Sequence, residues 1–501
     1  MHDSNTIAIE APATQKAPAR LTRDLIVMAS GTMLGALFGV VQVFLIPRLV
    51  DVRDFGYWRL FYLYASYAGL LHIGLSDGAL LSWVGKPLEK IGTQLPTATR
   101  FLVLQQLLFA VPGSLIAVLL FRRVPEVRFV AVAVLAYAVI FNLTALFQYS
   151  LQAGRHFYPV AVATVAPVGL FVILSYLWGR FQIPDYRVLI ALYVLSWVVV
   201  LSFLWTSIRP YLTGPAFDTW REGTKYLAIG WPVVLANAAL GIVQSADRLV
   251  LSSSVSIYDF AQYSLAASTM MVPVTLIAAV AQVFFPHFAA ADKALHREKY
   301  GQTSRLIALT WSVLLPYYFF LDFFVHRFLP RYVSTLPFAR ILLLGVLFLA
   351  TIQILQSNVF NLYGKQRYFL VYSIGAVALS IVLTATAILL FHSLWLVATM
   401  QVVALGIWWL FNACALKSLS GESWPALARV VVTFLWSAVS LKLAFSFGSN
   451  FAIRTLYYWL LTAVPLLLFF GSEMQLMGKL FRQASASLPS SWLVSRTPFG
   501  E

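Results

Sequence analysis

Residues 25–47 read LIVMASGTMLGALFGVVQVFLIP, twenty-three residues without one formal charge. As an α-helix rising 1.5 Å per residue, that run is about 34 Å long, enough to cross a hydrocarbon core about 30 Å thick. A backbone in lipid must pair its own N–H and C=O groups, so only helices and closed barrels span. The run is far longer than a barrel strand and does not alternate, so it is predicted to be a helix. Thirteen more apolar windows follow, at 58–81, 101–121, 129–151, 158–178, 188–208, 226–250, 260–286, 305–328, 337–361, 368–391, 394–416, 428–447 and 454–474. The expected fold class is an all-α polytopic membrane protein of about fourteen transmembrane helices.

Composition agrees. The 501 residues are 60% hydrophobic and 11% charged, against about 45–50% and about 25% in soluble domains. A soluble enzyme, a disordered chain and a coiled coil are excluded. The single cysteine, Cys414, rules out an intramolecular disulfide or thiolate-metal framework. The net charge of +16 would point to nucleic acid in a soluble protein. Here Lys and Arg in loops hold topology and meet anionic headgroups, so membrane lipids and not nucleic acid are the expected partner.

Residues 1–24 precede any apolar run and read as a disordered cytoplasmic tail rather than a signal peptide. With the N-terminus inside, about twenty-one basic residues fall in inner loops and about thirteen outside, which favours both termini in the cytoplasm. The longer hydrophilic stretches, near 82–100, 209–225 and 288–304, are too short to be domains of about 50 residues. Function is therefore expected within the membrane part.

A repeat organises the spans. Gly39-Val40-Val41-Gln42 precedes Asp54-Phe55-Gly56-Tyr57-Trp58, and Gly241-Ile242-Val243-Gln244 precedes Asp259-Phe260-Ala261-Gln262-Tyr263. Six spans per half make the repeat parallel, a transporter feature. The expected organisation is an N-lobe over 25–208 and a C-lobe over 226–416. Two further spans over 428–474 and a cytoplasmic tail over 475–501 complete it.

Ionisable residues inside spans are functional candidates. His72 and Asp77 lie in the second span, Asp247 and Arg248 end the seventh, Asp322 is late in the ninth and Lys442 is inside the thirteenth. Arg48 closes the first span and Arg59 opens the second. Snorkelling to headgroups competes with function for the three arginines. Two amide stripes stand out: Gln148, Gln152 and Arg155, and Gln353, Ser357 and Asn361, each on one helical face. Such stripes glue helices together or line a wet path, where amides suit sugar hydroxyls. Gly31, Gly35 and Gly39 make a small-residue ridge. Gly74-Leu75-Ser76-Asp77-Gly78 matches the hydrolase elbow formally, but that motif needs a strand before its turn; at the end of a membrane helix its glycines are expected to allow close helix approach or a break at the membrane surface. No nucleotide-binding loop or metal-ligand spacing is present in the sequence, so no metal or cofactor is expected.

Pro47-Arg48-Leu49, Asp54-Phe55-Gly56 and Gly74-Leu75-Ser76-Asp77-Gly78 together resemble the opening of bacterial polysaccharide-biosynthesis flippases. These belong to the multidrug, oligosaccharidyl-lipid and polysaccharide exporter superfamily. Leu151-Gln152-Ala153-Gly154-Arg155, Ala246-Asp247-Arg248, Leu329-Pro330-Arg331-Tyr332 with Arg340-Ile341-Leu342, and Tyr363-Gly364-Lys365 continue the resemblance in order. It implies two six-helix lobes plus two C-terminal helices, in the bacterial inner membrane. It implies undecaprenyl-pyrophosphate-linked oligosaccharide as cargo, flipped from the inner to the outer leaflet by alternating access. A polysaccharide polymerase and glycosyltransferases are its candidate partners. Some relatives carry charges mid-way along the first span. Here 25–47 has none, so their phosphate-binding residues do not transfer.

The expected substrate-binding set is Arg48, Arg59, Asp77, Gln148, Gln152, Arg248, Gln353, Asn361 and Lys442. The competing readings are a cation-coupled drug antiporter, with Asp77 or Asp322 as its carboxylate, and a membrane polymerase or ligase. The last needs a large outer loop that the sequence lacks.

Overall fold

A computed structural model describes residues 17–181, 184–212, 219–278, 296–420, 424–448, 450–463, 467, 470 and 471. Among the described residues, twelve helical segments are long and apolar enough to cross a membrane. Of the fourteen expected spans, that set lacks the second, which is broken, and the last, of which residues 451–463 are helical. The tail over 475–501 lies outside the described residues.

The chain divides into two units, Met1–Ala238 and Ala239–Glu501. The first holds α1 (Ala17–Leu49), α2 (Val52–Ala65), α3 (Leu75–Trp83), α4 (Leu88–Leu120), α5 (Pro125–Ala153), α6 (Phe157–Trp178), α7 (Tyr186–Ile208) and most of α8 (Thr219–Val243). Helix α1 begins at Ala17, inside the stretch read as a disordered tail; its Pro18 sits in the first turn, where a missing N–H is tolerated. The glycine ridge of α1 packs on α6. A Cβ on Gly31 would press on Ala161 and one on Gly35 would touch the Thr164 carbonyl, while Gly39 faces open space.

The core of this unit gathers Leu75, Trp83, Ile91, Leu95, Leu146, Leu204 and Tyr226. A second, aromatic centre surrounds the buried Tyr193, whose ring is 5.2–5.5 Å from those of Phe171, Trp58 and Tyr137. Outward, α4 presents Leu104, Leu107, Leu108, Val111 and Leu115 at helical spacing, a face suited to lipid tails.

The second unit continues from α8 with α9 (Ala246–Ser254), α10 (Ile257–Thr269), α11 (His296–Leu314), α12 (Tyr317–Phe328), α13 (Leu336–Ala350), α14 (Ser357–Leu362), α15 (Gln366–Phe391), α16 (Leu394–Ser420) and α17 (Trp424–Phe447). A π-helical turn, Thr351–Gln356, joins α13 to α14. His392, in left-handed conformation at φ 47°, separates α15 from α16.

The C-terminal helices are tied to this unit by polar contacts. Ser312 of α11 lies 3.0 Å from the Ser437 hydroxyl of α17, and Tyr458 donates to the Ser312 carbonyl at 2.9 Å. Arg454 pairs with Asp322 of α12 at 2.8 Å, donates through Nε to the Gly448 carbonyl and lies 4.2 Å over the Phe445 ring.

The repeat read from sequence has matching helix starts. Asp51 caps α2 by accepting the Asp54 N–H at 2.8 Å, and Ser256 caps α10 by accepting the Asp259 N–H at 3.1 Å. Each puts an aspartate at the third helical position, where the helix dipole favours it.

Candidate functional site

The second expected span, 58–81, is discontinuous. Helix α2 ends at Ala65, a 3₁₀ turn covers Ala68–His72, and Ile73 and Gly74 take left-handed conformations at φ 48° and 88° before α3 begins. A β-branched residue in that region is a genuine conformational outlier. Gly74 has a steric reason to be glycine: its backbone meets that of Gly230 on α8 so closely that a Cβ would overlap it. Gly78 and Gly230 are in the same position.

Breaking a helix in an apolar surrounding orphans carbonyls, each costing free energy until paired. Side-chain amides from α4 and α5 supply the partners. Asn142 donates to the Ala68 carbonyl at 3.0 Å and Gln106 to that of Leu71 at 2.9 Å; Gln105 lies 3.4 Å from that of His72. Asn142 also donates to Gln106 Oε1 at 2.9 Å. Asn142 and Gln106 are fully buried.

His72 and Asp77 flank the break. The Gly74 N–H donates to His72 Nδ1 at 3.0 Å. Neutral imidazole with an accepting Nδ1 carries its proton on Nε2. That nitrogen faces Asp77 Oδ2 at 3.6 Å, with side chains 7% and 11% exposed.

A second discontinuity lies in the second unit. Helix α8 ends at Val243, and α9 resumes after Gln244 and Ser245, within the single span expected over 226–250. Again side chains serve the released carbonyls. Gln401 of α16 donates to that of Val243 at 3.0 Å, Ser245 to that of Gly241 at 2.9 Å and Arg248 Nη2 to that of Gln244 at 2.9 Å.

Asp247 is 2% exposed and accepts from Tyr263 of α10 at 2.7 Å and from the Arg248 N–H at 2.7 Å. Arg248 Nε stands 3.8 Å from its carboxylate. Gln244, Asp247, Arg248, Met270, Gln401 and Leu405 line a cavity of about 10 Å³, room for about one water. Next to Tyr263, Gln262 donates to the Arg331 carbonyl at 2.9 Å and accepts from Thr335 at 2.8 Å. Two of the stretches that resemble the flippases are thus joined through α10.

The expected site residues are distributed as follows. In the first unit, Arg48 is exposed in the last turn of α1, and Arg59 is buried in α2 with its guanidinium 5.0 Å over the Tyr62 ring. Asp77 belongs to the broken span. Gln148 donates to Thr164 at 3.2 Å, holding α5 to α6, and Gln152 is half-buried one turn on.

In the second unit, Arg248 borders the small cavity and Lys442 is exposed on α17, outside that lining. Gln353 lies in the π turn and Asn361 is exposed near the end of α14. Gln356, adjacent to the predicted stripe, is buried and donates to the Trp409 carbonyl at 3.1 Å. Gln106, Asn142 and Gln401 were not singled out from sequence, and Tyr263 was noted only within the repeat. Lone amides inside otherwise apolar spans were the available signal. Among the described residues no group of three His, Cys, Asp or Glu side chains could hold a metal.

Over residues 21–292 the sequence matches a family described as polysaccharide biosynthesis protein. The chain belongs to that family. No curated protein matches it in sequence. Among solved structures, the inward-facing conformation of a multidrug resistance MATE family transporter of the MOP superfamily aligns with TM-score 0.60. Identity is 15%, over 82% of this chain and 100% of that one. The outward-facing conformation of such a transporter aligns with TM-score 0.51 at 14% identity, over 82% and 100%. At these identities the likeness is one of fold. This family member is therefore a multi-pass membrane protein with a transporter-type fold.

Proposed function

We propose that the protein flips undecaprenyl-pyrophosphate-linked oligosaccharide from the inner to the outer leaflet of the bacterial inner membrane, by alternating access, for surface polysaccharide assembly. Both termini are then cytoplasmic, and a polysaccharide polymerase and glycosyltransferases are its partners. The observation that carries this reading is membership of a polysaccharide biosynthesis family by a chain whose hydrophilic loops are too short to house a soluble catalytic domain. Moving the lipid-linked intermediate is a step of polysaccharide synthesis that membrane helices can perform without a catalytic domain or a large outer loop. Stripping the polar headgroup in hydrocarbon would cost several kcal/mol per group, and a polar route removes that barrier.

In this proposal the pyrophosphate contacts a subset of Arg48, Arg59, Arg248 and Lys442. Asp77, Gln148, Gln152, Gln353 and Asn361 serve the glycan. Arginine suits phosphate because its planar fork binds two oxygens at once.

The test is flipping of a labelled lipid-linked oligosaccharide in proteoliposomes at matched protein levels. Arg59→Ala should lower the rate about tenfold, the loss of roughly 1.4 kcal/mol of contact, and Arg59→Lys should restore only part of it. Wild-type rates for alanine variants of all four basic residues would overturn the phosphate assignment.

Cation-coupled drug antiport is the second reading, favoured by the transporter fold. It requires a buried carboxylate open to a cation. Asp322 is engaged by Arg454, and Asp247 by Tyr263 and Arg248, which leaves Asp77 as its candidate.

A further inference from the structure

The bond between the Gly74 N–H and His72 Nδ1 closes the break in the second span, and its chemistry is exclusive. The same lone pair that accepts the Gly74 hydrogen is the one a proton must occupy to make imidazolium, because Nε2 already carries its hydrogen. Protonation at Nδ1 sets two donors face to face and removes the bond. It also turns the contact from Nε2–H to Asp77 Oδ2, now 3.6 Å, into a charge-assisted pair that shortens when the groups approach. The backbone it releases is held at φ 48° in Ile73, a conformation costly for a β-branched residue.

We propose that His72, Asp77 and the Ile73–Gly74 turn form a proton-binding hinge. One proton taken up at His72 Nδ1 breaks the Gly74 bond, draws Asp77 to the ring and lets the second span relax. No atom other than that proton is exchanged. The proposal goes beyond the transport reading and holds whatever the cargo is.

The surroundings favour a proton over a larger ion. From α4 the pair meets Gln105 and Gln106, whose amides are committed to the His72 and Leu71 carbonyls. From α5 it meets Asn142, bonded to the Ala68 carbonyl, and Tyr149, whose phenol is in electrostatic reach of Asp77. From α8 it meets the backbone of Gly230 and Tyr226, whose phenol is turned toward Trp83 and Glu222. Those side chains are neutral at pH 7, so the imidazolium would have Asp77 as its counter-ion. Backbone packing at Gly74, Gly78 and Gly230 closes the α8 side of the turn.

The test uses the full chain with Cys414→Ser in lipid nanodiscs, spin-labelled at Tyr64→Cys on α2 and Leu81→Cys on α3, both exposed positions flanking the break. With His72 intact, the inter-label distance should change by about 5 Å, one helical turn, in a single transition as the pH is lowered from about 8 to about 4. His72→Asn keeps an acceptor for the N–H two residues on, as in an Asx-turn, and does not titrate. It should show the high-pH distance at every pH. Asp77→Asn should move the transition to lower pH. In ¹⁵N-histidine-labelled protein, the His72 ring should pass from the Nε2–H tautomer to imidazolium over the same pH range. A pH-independent distance with His72 intact, an unchanged transition in His72→Asn, or a His72 ring that stays neutral across the transition would each overturn the hinge. None of these outcomes depends on oligosaccharide flipping, so the hinge and the transport reading can fail separately.

Discussion

Single residues show why some side chains were readable and others were not. Arg59 was marked as a membrane-end arginine with snorkelling as the bland alternative. Its burial against Tyr62 removes headgroup snorkelling, since a side chain packed within the protein is not reaching for the interface. Gln148 was chosen for a stripe that lines or glues; its amide donates to Thr164 on α6. Such assignments depend on which neighbour a side chain meets, and helical spacing within one span carries no information about that.

Asp54 is another such case. It precedes the apolar run at 58–81, and burial, then the charges of Asp51 and Asp185, raise its pKa to about 6 against the pull of Arg53 and Arg187. A carboxyl whose folded pKa is raised binds its proton more tightly in the folded state. It therefore penalises stability above about pH 6, and the penalty fades as pH falls toward the unfolded value near 4. Asp54→Asn should stabilise the protein by about 1 kcal/mol at pH 8, after allowance for solvent screening, and by nothing near pH 4. Thermal unfolding in detergent at the two pH values checks this. A stabilisation that is the same at both would mean the effect is not electrostatic.

Helices were the most legible scale. A span declares itself through some twenty consecutive apolar residues, because hydrocarbon thickness and helical rise leave little choice of length. The breaks in the second and seventh spans were hidden for the same reason: residues 65–75 are nearly as apolar as their flanks, so hydropathy runs across the interruption. Gly74 was the visible hint, through the Gly74–Gly78 motif. The decisive partners, Gln106, Asn142 and Gly230, lie far away in sequence. Their identity follows from packing, which no local pattern encodes. The glycine contact makes a sharp prediction at this scale. Gly230→Ala puts a methyl group into the Gly74 backbone, which cannot yield as a flexible side chain could. The variant should lose about 3 kcal/mol of stability, the upper range for overpacking, seen as a lowered unfolding temperature and reduced yield. Gly39→Ala, on the same type of ridge but facing open space, should be near neutral. Equal effects of the two substitutions would show that the close approach between the second and seventh spans is not what glycine is for.

At the scale of the whole chain, α2 and α10 begin with matching caps, each at one copy of the repeat read from the sequence. Fifteen residues separate Gln244 from Asp259, against twelve from Gln42 to Asp54, and the longer interval contains the break at Gln244 and Ser245. The Arg454–Asp322 pair fastens the C-terminal helices to the second unit. This assigns Asp322 a role that its position in an apolar span did not disclose, because its partner lies 132 residues away.

The assignment separates a structural clamp from a transport carboxylate at Asp322. As a clamp, Asp322→Asn leaves the half-buried guanidinium without its counter-charge and should lower stability by about 2 kcal/mol, while oligosaccharide flipping per folded molecule stays within about twofold, a barrier change under about 0.5 kcal/mol. The double variant Asp322→Leu with Arg454→Leu removes both charges together. It should recover much of the lost stability, since a buried pair is often replaceable by apolar packing although neither partner is dispensable alone. As the coupling carboxylate of an antiporter, Asp322 would behave otherwise: both variants would abolish cation-driven flux, and restoring stability would not restore transport. Measuring unfolding temperature and flux on the same preparations decides between them, and loss of flux in the stable double variant would make Asp322 part of the transport path.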